Sequence, residues 1–400
     1  MVGLVATLDT KGQEAAFLRE RLEMAGLQVL VLHCGTHEPQ FPPEVSNAEI
    51  AAAGGGLLAE LRRRGDRGEA VATLARGAAA LAAQLYAGRR IQGLISLGGS
   101  AGTTIGTAAM RALPVGVPKV MVSTMASGDT RPYVDVKDVA MLYSVVDVAG
   151  LNRLSRRILA NAAGAMAGML LAPPLEAAQD RPLIGATMFG VTTPCVTEAR
   201  RLLEEAGYEV LTFHATGTGG RAMEELVRGG FLAGVLDVTT TELADELVGG
   251  ILTAGPDRLE AAGAAGLPQV VCPGAIDMVN FGPPESVPER FRDRLFYHHN
   301  PTVTLMRTTP EECAELGRIT ARKLSAAQGP ATVLFPRRGV SAIDREGQPF
   351  DSPAAREAYL QALREALPPA VPVVELDLHI NDPGFAAATV QAFLRRVGRA

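Results

Sequence analysis

Short apolar runs alternate with longer amphipathic stretches along the whole chain. Residues 2–8 are almost wholly apolar and read as a buried strand. Asp9-Thr10-Lys11-Gly12 follows as a turn. Gln13 to Ala25 puts Phe17, Leu18, Leu22 and Ala25 on one helical face, and Gly26 closes the helix. Val29 to Leu32 is the next strand, ending at His33. This order, within residues 2–33, predicts a βαβ opening with parallel strands.

The alternation continues. Residues 35–47 form a Pro-containing loop, and Ala48 to Gly56 is small, glycine-rich and expected to be mobile. Glu69 to Tyr86 is a long Ala/Leu helix. Leu94 to Leu97 and Val117 to Thr124 are strands on either side of a helix at Ile105 to Leu113. Asp138 to Val148 fits a strand or a helix, and Asn152 to Leu171 a helix. Pro173, Pro174 and Pro182 bracket a polar stretch, Glu176 to Arg181, which marks a domain boundary. The expected domains are 1–178 and 179–400. Late strands fall at Thr332 to Phe335 and Val371 to Leu378, with helices at Pro353 to Leu367 and Pro383 to Val397.

The second half repeats the first. Ala6-Thr7-Leu8 corresponds to Ala186-Thr187-Met188, Val29 to His33 to Val210 to His214, and Gly93-Leu-Ile-Ser-Leu to Gly234-Val-Leu-Asp-Val. Gly116-Val-Pro-Lys-Val corresponds to Gly266-Leu-Pro-Gln-Val. The fold class is therefore α/β: two pseudo-repeated halves with mostly parallel sheets.

The strand at Leu94 runs into Gly98-Gly99-Ser100-Ala101-Gly102-Thr103-Thr104 and then a helix. Glycines let the backbone approach a ligand, amides face it, and the helix N-terminus adds positive potential. This reads as a phosphate cradle, most simply for a nucleotide, although the same glycines would also make a tight turn that needs no ligand. The loop is neither a Walker A, since no Gly-Lys-Ser/Thr ends it, nor a clean dinucleotide fingerprint. The second half has Asp237-Val-Thr-Thr-Thr-Glu242 at the corresponding place, and its own glycine cluster at Gly217 to Gly220.

Composition narrows the classes. The formal charge is −5, aromatics are 4% and Trp is absent, so nothing calls for nucleic acid. Arg62-Arg63-Arg64 reads as a solvated face. The chain is 47% hydrophobic, yet no stretch of spanning length is free of Pro or charge, so no membrane is expected. Four scattered cysteines, Cys34, Cys195, Cys272 and Cys313, suit reduced thiols and a cytoplasmic setting.

Ligands in open α/β sheets sit at the carboxyl ends of strands. Five loops should gather there in the first half: 9–12, 33–37, 98–104, 123–129 and the region of Asp147. Lys11 is placed to neutralise a phosphate, and Asp9 or Asp129 to hold a metal. Both aspartates are also ordinary turn residues. His33 and His37 with Cys34 lack a fourth zinc ligand and suit a polar loop better. In the second half, Thr192, Thr193, Gly217 to Gly220, Thr239 to Glu242, Asp277, Asn280 and His298-His299-Asn300 are candidates. Asp277, Asn280 and His299 would be the acid–base set for a small anionic metabolite. Thr239 to Thr241 also suit a helix cap, and Cys195 either a favoured thiolate or a buried structural thiol. Ser341, Asp344, Gly347 and Asp351 lie in a polar loop, and His379 to Asp382 follow the last strand.

Several segments together resemble one family: Thr7 to Gly12, Gly98 to Thr104, Ser123 to Asp129, Ser144 to Asn152, Gly185 to Pro194, Asp277 to Phe281 and His299 to Pro301. It is the ATP-binding domain family named for a plant tobamovirus-resistance protein, whose bacterial members are largely uncharacterised. The resemblance covers nearly the whole chain. It implies two Rossmann-like domains, ATP with magnesium, and a homodimer. It makes Asp9, Thr10, Lys11, Gly98, Gly99, Ser100, Gly102, Thr103, Thr104, Met125, Ser127 and Gly128 the expected nucleotide contacts, with magnesium near Asp9 or Asp129. Three functions stay open: an ATP-binding protein with a cleft for a second ligand, an enzyme on a small anionic metabolite, and a nucleotide-gated interaction module.

Overall fold

The computed structural model describes residues 1–173 and 181–398. The chain divides into two compact units, Met1–Glu176 and Ala177–Ala400. The expected boundary at 178/179 and most of the polar stretch around it lie outside the described residues.

The first unit runs β1 (Val2–Ala6), α1 (Leu8–Met24), β2 (Val29–His33), α2 (Asn47–Ala53), α3 (Leu58–Arg64), α4 (Arg67–Ala87), β3 (Leu94–Gly98), α5 (Ser100–Arg111), β4 (Lys119–Ser123), α6 (Arg131–Val134), β5 (Ala140–Tyr143) and α7 (Arg153–Leu171). Its sheet is parallel, in the order β2-β1-β3-β4-β5. β1 to β4 are fully buried, as continuous apolar runs require when helices cover both faces. Alternate side chains go to opposite sides. Leu30, Leu32 and Met121 meet α2, α4 and α5, whereas Val29, Val31, Val120 and Val122 meet α1 and α7.

Three local differences from the sequence reading have physical causes. The expected turn at 9–12 is instead the start of α1: the Thr10 and Lys11 amides donate to Thr7 O at 3.1 and 2.7 Å, and the helix is broken only at Lys11 (φ −127°, ψ 25°). The expected mobile stretch 48–56 contains α2, nucleated by a Ser46/Glu49 capping box. The ambiguous stretch after Asp138 is the edge strand β5.

The second unit runs β6 (Leu183–Met188), α8 (Thr193–Glu205), β7 (Glu209–His214), α9 (Thr218–Arg228), β8 (Gly234–Thr239), α10 (Thr241–Val248), α11 (Ala261–Ala264), β9 (Gln269–Gly274), β10 (Met278–Phe281), β11 (Phe296–Asn300), β12 (Val303–Arg307), α12 (Pro310–Ser325), β13 (Ala331–Pro336), α13 (Pro353–Ala366), β14 (Val373–Leu376) and α14 (Pro383–Val397). Its parallel sheet has the order β14-β13-β9-β8-β6-β7. Both units are thus α/β with Rossmann-like parallel sheets, and β6-β7-β8-β9 repeats the path of β1-β2-β3-β4. Between β9 and β13 the chain inserts a three-stranded antiparallel sheet, β10-β12-β11, unforeseen in the sequence reading.

Register corrects one part of the repeat. Gly3 pairs with Leu30 and Leu94, and Gly185 with Leu211 and Val235. Gly3 therefore corresponds to Gly185, and Ala6 to Met188 rather than Ala186. Both glycines answer one constraint. A Cβ at Gly3 would lie 2.5 Å from Leu94, and one at Gly185 would lie 2.8 Å from Leu232.

The crossing of α2 and α4 gives a test. A Cβ at Gly77, inside α4, would run into the backbone carbonyl of Ile50. Helix propensity favours Gly77→Ala by about 1 kcal/mol, but overpacking costs about 1–3 kcal/mol or more when a backbone atom must give way. Crowding should win. Gly77→Ala is expected to lower the first unit's urea midpoint, measured by circular dichroism; a raised midpoint would mean α2 yields freely.

Candidate functional site

In the first unit β1 and β3 are neighbours whose connections leave in opposite directions, so their carboxyl ends open a crevice at the switch in strand order. A cleft of about 790 Å³ lies there, lined by Thr7, Asp9 to Lys11, Cys34 to His37, Gly98 to Gly102, Thr124, Met125 and Asp147. All five loops expected at this end contribute. The rest of the lining is Ile105 of α5 and, from Leu61 to Leu74, residues of α3, α4 and the turn between them.

The glycine loop has the geometry of an open helix start. Gly99 is the N-cap of α5, and among the described residues no side chain is bonded to the amides that follow it. The first amide with an acceptor in the chain is that of Thr103, to Gly99 O at 2.8 Å. The amides of Ser100, Ala101 and Gly102 therefore sit at the cleft without a capping side chain. Gly98 permits this turn, since a Cβ there would lie 2.9 Å from Gly102 Cα. Thr103 and Thr104 do not line the cleft. Thr103 is fully buried, and its hydroxyl bonds Gly99 O at 2.8 Å and Ser123 Oγ at 2.6 Å. The Thr104 hydroxyl donates to Ser100 O at 2.9 Å. Both residues brace the loop.

Opposite the glycines stand Asp9, Thr10 and Lys11. Asp9 Oδ2 accepts from the His37 amide at 3.0 Å, and its Oδ1 is buried with no partner. A Cβ at Gly35 would collide with this carboxylate, so glycine there gives it room. His33 serves structure: Nε2–H donates to His37 O at 2.9 Å, and Nδ1 accepts from the Leu8 and Gly35 amides at 3.1 and 3.2 Å. Both ring nitrogens are used, which removes His33 as a zinc ligand. Burial, and then the charge of Asp9, pushes the Cys34 thiol far up.

Asp129 lies outside the cleft lining. It is exposed and paired with Arg131 at 2.8 and 2.9 Å, which pulls its carboxyl down to about 2. Ser127 and Gly128 are also off the lining, whereas Met125 and its neighbour Thr124 are on it. Asp147 follows a strained turn: Val145 has φ +62°, and the Val146 amide reaches Ser144 O at 2.6 Å. Arg62 and Arg67 are cleft residues that sequence reasoning missed. The Arg62-Arg63-Arg64 run was their one visible trace.

The second unit answers its glycine cluster from within. Glu242 Oε1 accepts from the Gly217 and Gly220 amides at 2.8 and 3.1 Å. The anion-binding start of α9 is thus filled by the chain's own carboxylate. Arg258, 1% exposed, bonds the other Glu242 oxygen at 2.6 Å and forks onto Asp237 at 2.5 and 2.6 Å, with Glu224 at 3.4 Å. Thr187 also donates to Asp237, at 2.7 Å. Thr239, Thr240 and Thr241 are fully buried, and none caps α10.

Asp277, Asn280 and His299 do not meet. Asp277 is buried, accepts from Ser341 Oγ at 2.8 Å, and has an unpartnered Oδ1. Asn280 is committed to Asp245, by Nδ2 at 2.6 Å and its amide at 2.7 Å. His299 sits at a bulge of β11, exposed, beside Tyr297. Cys195 is buried, and its thiol is pushed up to about 12 by burial, which fits the structural-thiol reading of the two and not the thiolate.

Two outcomes follow for the second unit. Arg258→Met leaves three buried carboxylates without their cation, and a broken buried pair costs about 3–5 kcal/mol. The variant's urea midpoint should fall accordingly; an unchanged midpoint would show that these acids are already neutral. Burial pushes the Asp245 carboxyl up to about 7, against the Asn280 hydrogen bonds. Burial and then the Asp344 charge push Asp277 up as well. Unfolded carboxylates titrate near ~4. Between about 4 and 7 the folded unit thus holds protons that the unfolded chain has released, so stability falls as pH rises through that window. Asp277→Asn removes one titration, and its unfolding midpoint should fall less across the window than that of the unsubstituted chain.

Residues 1–174 match the N-terminal domain, and residues 181–397 the C-terminal domain, of an uncharacterised protein family designated UPF0261. A UPF0261 protein of Clostridium tetani is 51% identical over 393 residues, covering 98% of this chain and 97% of that protein. The ToMV susceptible protein tm-1(GCR26) of Solanum lycopersicum is 38% identical, covering 98% of this chain but 55% of the tomato protein. The ToMV resistance protein Tm-1(GCR237) is 45% identical, over 76% of this chain and 42% of its own length. The chain thus spans about half of the tomato proteins it matches, and nearly all of the bacterial one. With both domains matched, the chain belongs to the UPF0261 family.

Proposed function

We propose that the first unit binds ATP, with its phosphates on the Gly98–Gly102 amides. The observation that carries this reading is the uncapped start of α5, which faces a cleft of about 790 Å³ at the sheet's switch point. That volume is within the roughly 300–1,000 Å³ usual for small-molecule sites. Amide donors at a helix start favour a polyanion, and Lys11, for which no ion pair is found among the described residues, adds a positive charge. The wall from α3 to α5, with Leu61, Ala70, Val71, Leu74 and Ile105, offers an apolar surface for a base. Magnesium fits the donors in its usual form, one carboxylate plus phosphate oxygens and water. Asp9, with its orphaned Oδ1, would supply that carboxylate; bound there, the ion would neutralise phosphate charge.

The second unit's contrasting chemistry supports the assignment of the nucleotide to the first. There the glycine-cluster amides at the start of α9, after β7, already hold Glu242.

Calorimetric titration with ATP and magnesium tests the proposal. Lys11→Ala should weaken binding by about tenfold or more, the worth of one charged hydrogen bond. Gly99→Val should abolish it without unfolding the unit, because a Cβ at Gly99 has only Thr124 Oγ1 nearby, at 3.8 Å. Absence of binding, or indifference to both substitutions, would remove the reading.

A further inference from the structure

α3 is a partition with open space on both sides. Its front borders the cleft. Behind it lies a second cavity of about 210 Å³, walled by Gly55, Glu60, Arg64, Glu69 and Arg76, and Leu61 reaches both spaces. Left-handed glycines bound the helix: Gly55 at φ +80° and Gly65 at φ +67°. A Cβ at either would have nothing within 4 Å, so backbone conformation rather than crowding calls for glycine there. No side chain caps the helix at Leu57.

Helical spacing sends Arg62 forward and Glu60 and Arg64 back. Arg62 is latched across the cleft mouth to Thr36 O and to Glu38, the latter at 3.1 Å. The Glu38 side chain is 86% exposed, and so exposed a pair is weakly held. Arg67, just past the second glycine, also lines the cleft.

We propose that α3 is a hinged gate and that Arg62 reads the number of phosphates on the bound nucleotide. This rests on the nucleotide reading above. A polyphosphate offers the guanidinium paired oxygens of higher charge than one carboxylate, and Arg62 exchanges Glu38 for them. The helix then leans toward the cleft about Gly55 and Gly65, and the space behind it widens. A monophosphate does not reach far enough to draw the latch. Arg62 is thus a specificity-determining residue, separate from the amides that hold every phosphate chain.

The test titrates the full chain, Arg62→Ala and Glu38→Gln with ATP, ADP and AMP in magnesium chloride, and follows trypsin cleavage at the Arg62–Arg67 run. Arg62→Ala should lose about tenfold in ATP affinity, one charged contact, with AMP affinity unchanged, so the ATP-to-AMP ratio collapses. Glu38→Gln should bind ATP more tightly, because the Thr36 carbonyl is then left as the main hold on the latch. ATP should protect the run from trypsin in the unsubstituted chain, and AMP should not. An equal loss for all three nucleotides in Arg62→Ala, or ATP binding without protection, overturns the gate while leaving the cleft assignment standing. Failure of the unsubstituted chain to bind any of the three overturns both.

Discussion

A helix cannot satisfy its own first amides, and each unit of this protein meets that constraint at a strand end in its own way. At α9 the donors close on Glu242, a carboxylate the chain carries permanently. At α5 no side chain among the described residues closes them, and the residues that carry them line the cleft. The start of α9 is thus satisfied from within, whereas that of α5, at a different strand end, has no side-chain cap among the described residues.

Closing the second unit's amides from within has an electrostatic cost. Glu242 is buried, and burial pushes its carboxyl up against the pull of Arg258. Arg258 must then serve Asp237 and Glu224 as well. Such clusters add little net stability relative to an apolar core, but they are intolerant of losing one member. Their directional bonds tie β8 and α10 to the loop carrying Arg258. The inserted antiparallel sheet is fastened similarly, through Asn280 to Asp245 and Asp277 to Ser341. Residues that look like reagents in the sequence act here as fasteners.

Much of the frame was legible because buried parallel strands are continuous apolar runs and their helices carry one apolar stripe. α14 falls on the expected residues, Pro383 to Val397. Five of the six regions lining the cleft were legible too, because strand ends are where α/β sheets gather loops. The sixth, around Arg62 and Arg67, was not: it precedes β3 in sequence, on helices rather than strand ends, and its arginines resemble an ordinary solvated face. Nor was the fate of Thr103 visible, since a hydroxyl beside glycines reads the same whether it meets a ligand or Ser123. The antiparallel insertion was obscured by polar residues at Asp277, Asn280 and His298 to Asn300, which suggested chemistry rather than pairing.

The pairing of Gly3 and Gly185 with equivalent neighbours carries a consequence for comparing the two halves. Sequence likeness slides the opening strand by two places relative to its true counterpart. Side chains alternate with a period of two, so this slip leaves every residue facing the same way, and the core sounds no alarm. The following loop is nevertheless carried some 6.6 Å along the strand, at about 3.3 Å per residue. Counted from the true counterpart, the places of Asp9 and Lys11 fall to Val191 and Thr193. The later half inherits the scaffold without that charged pair.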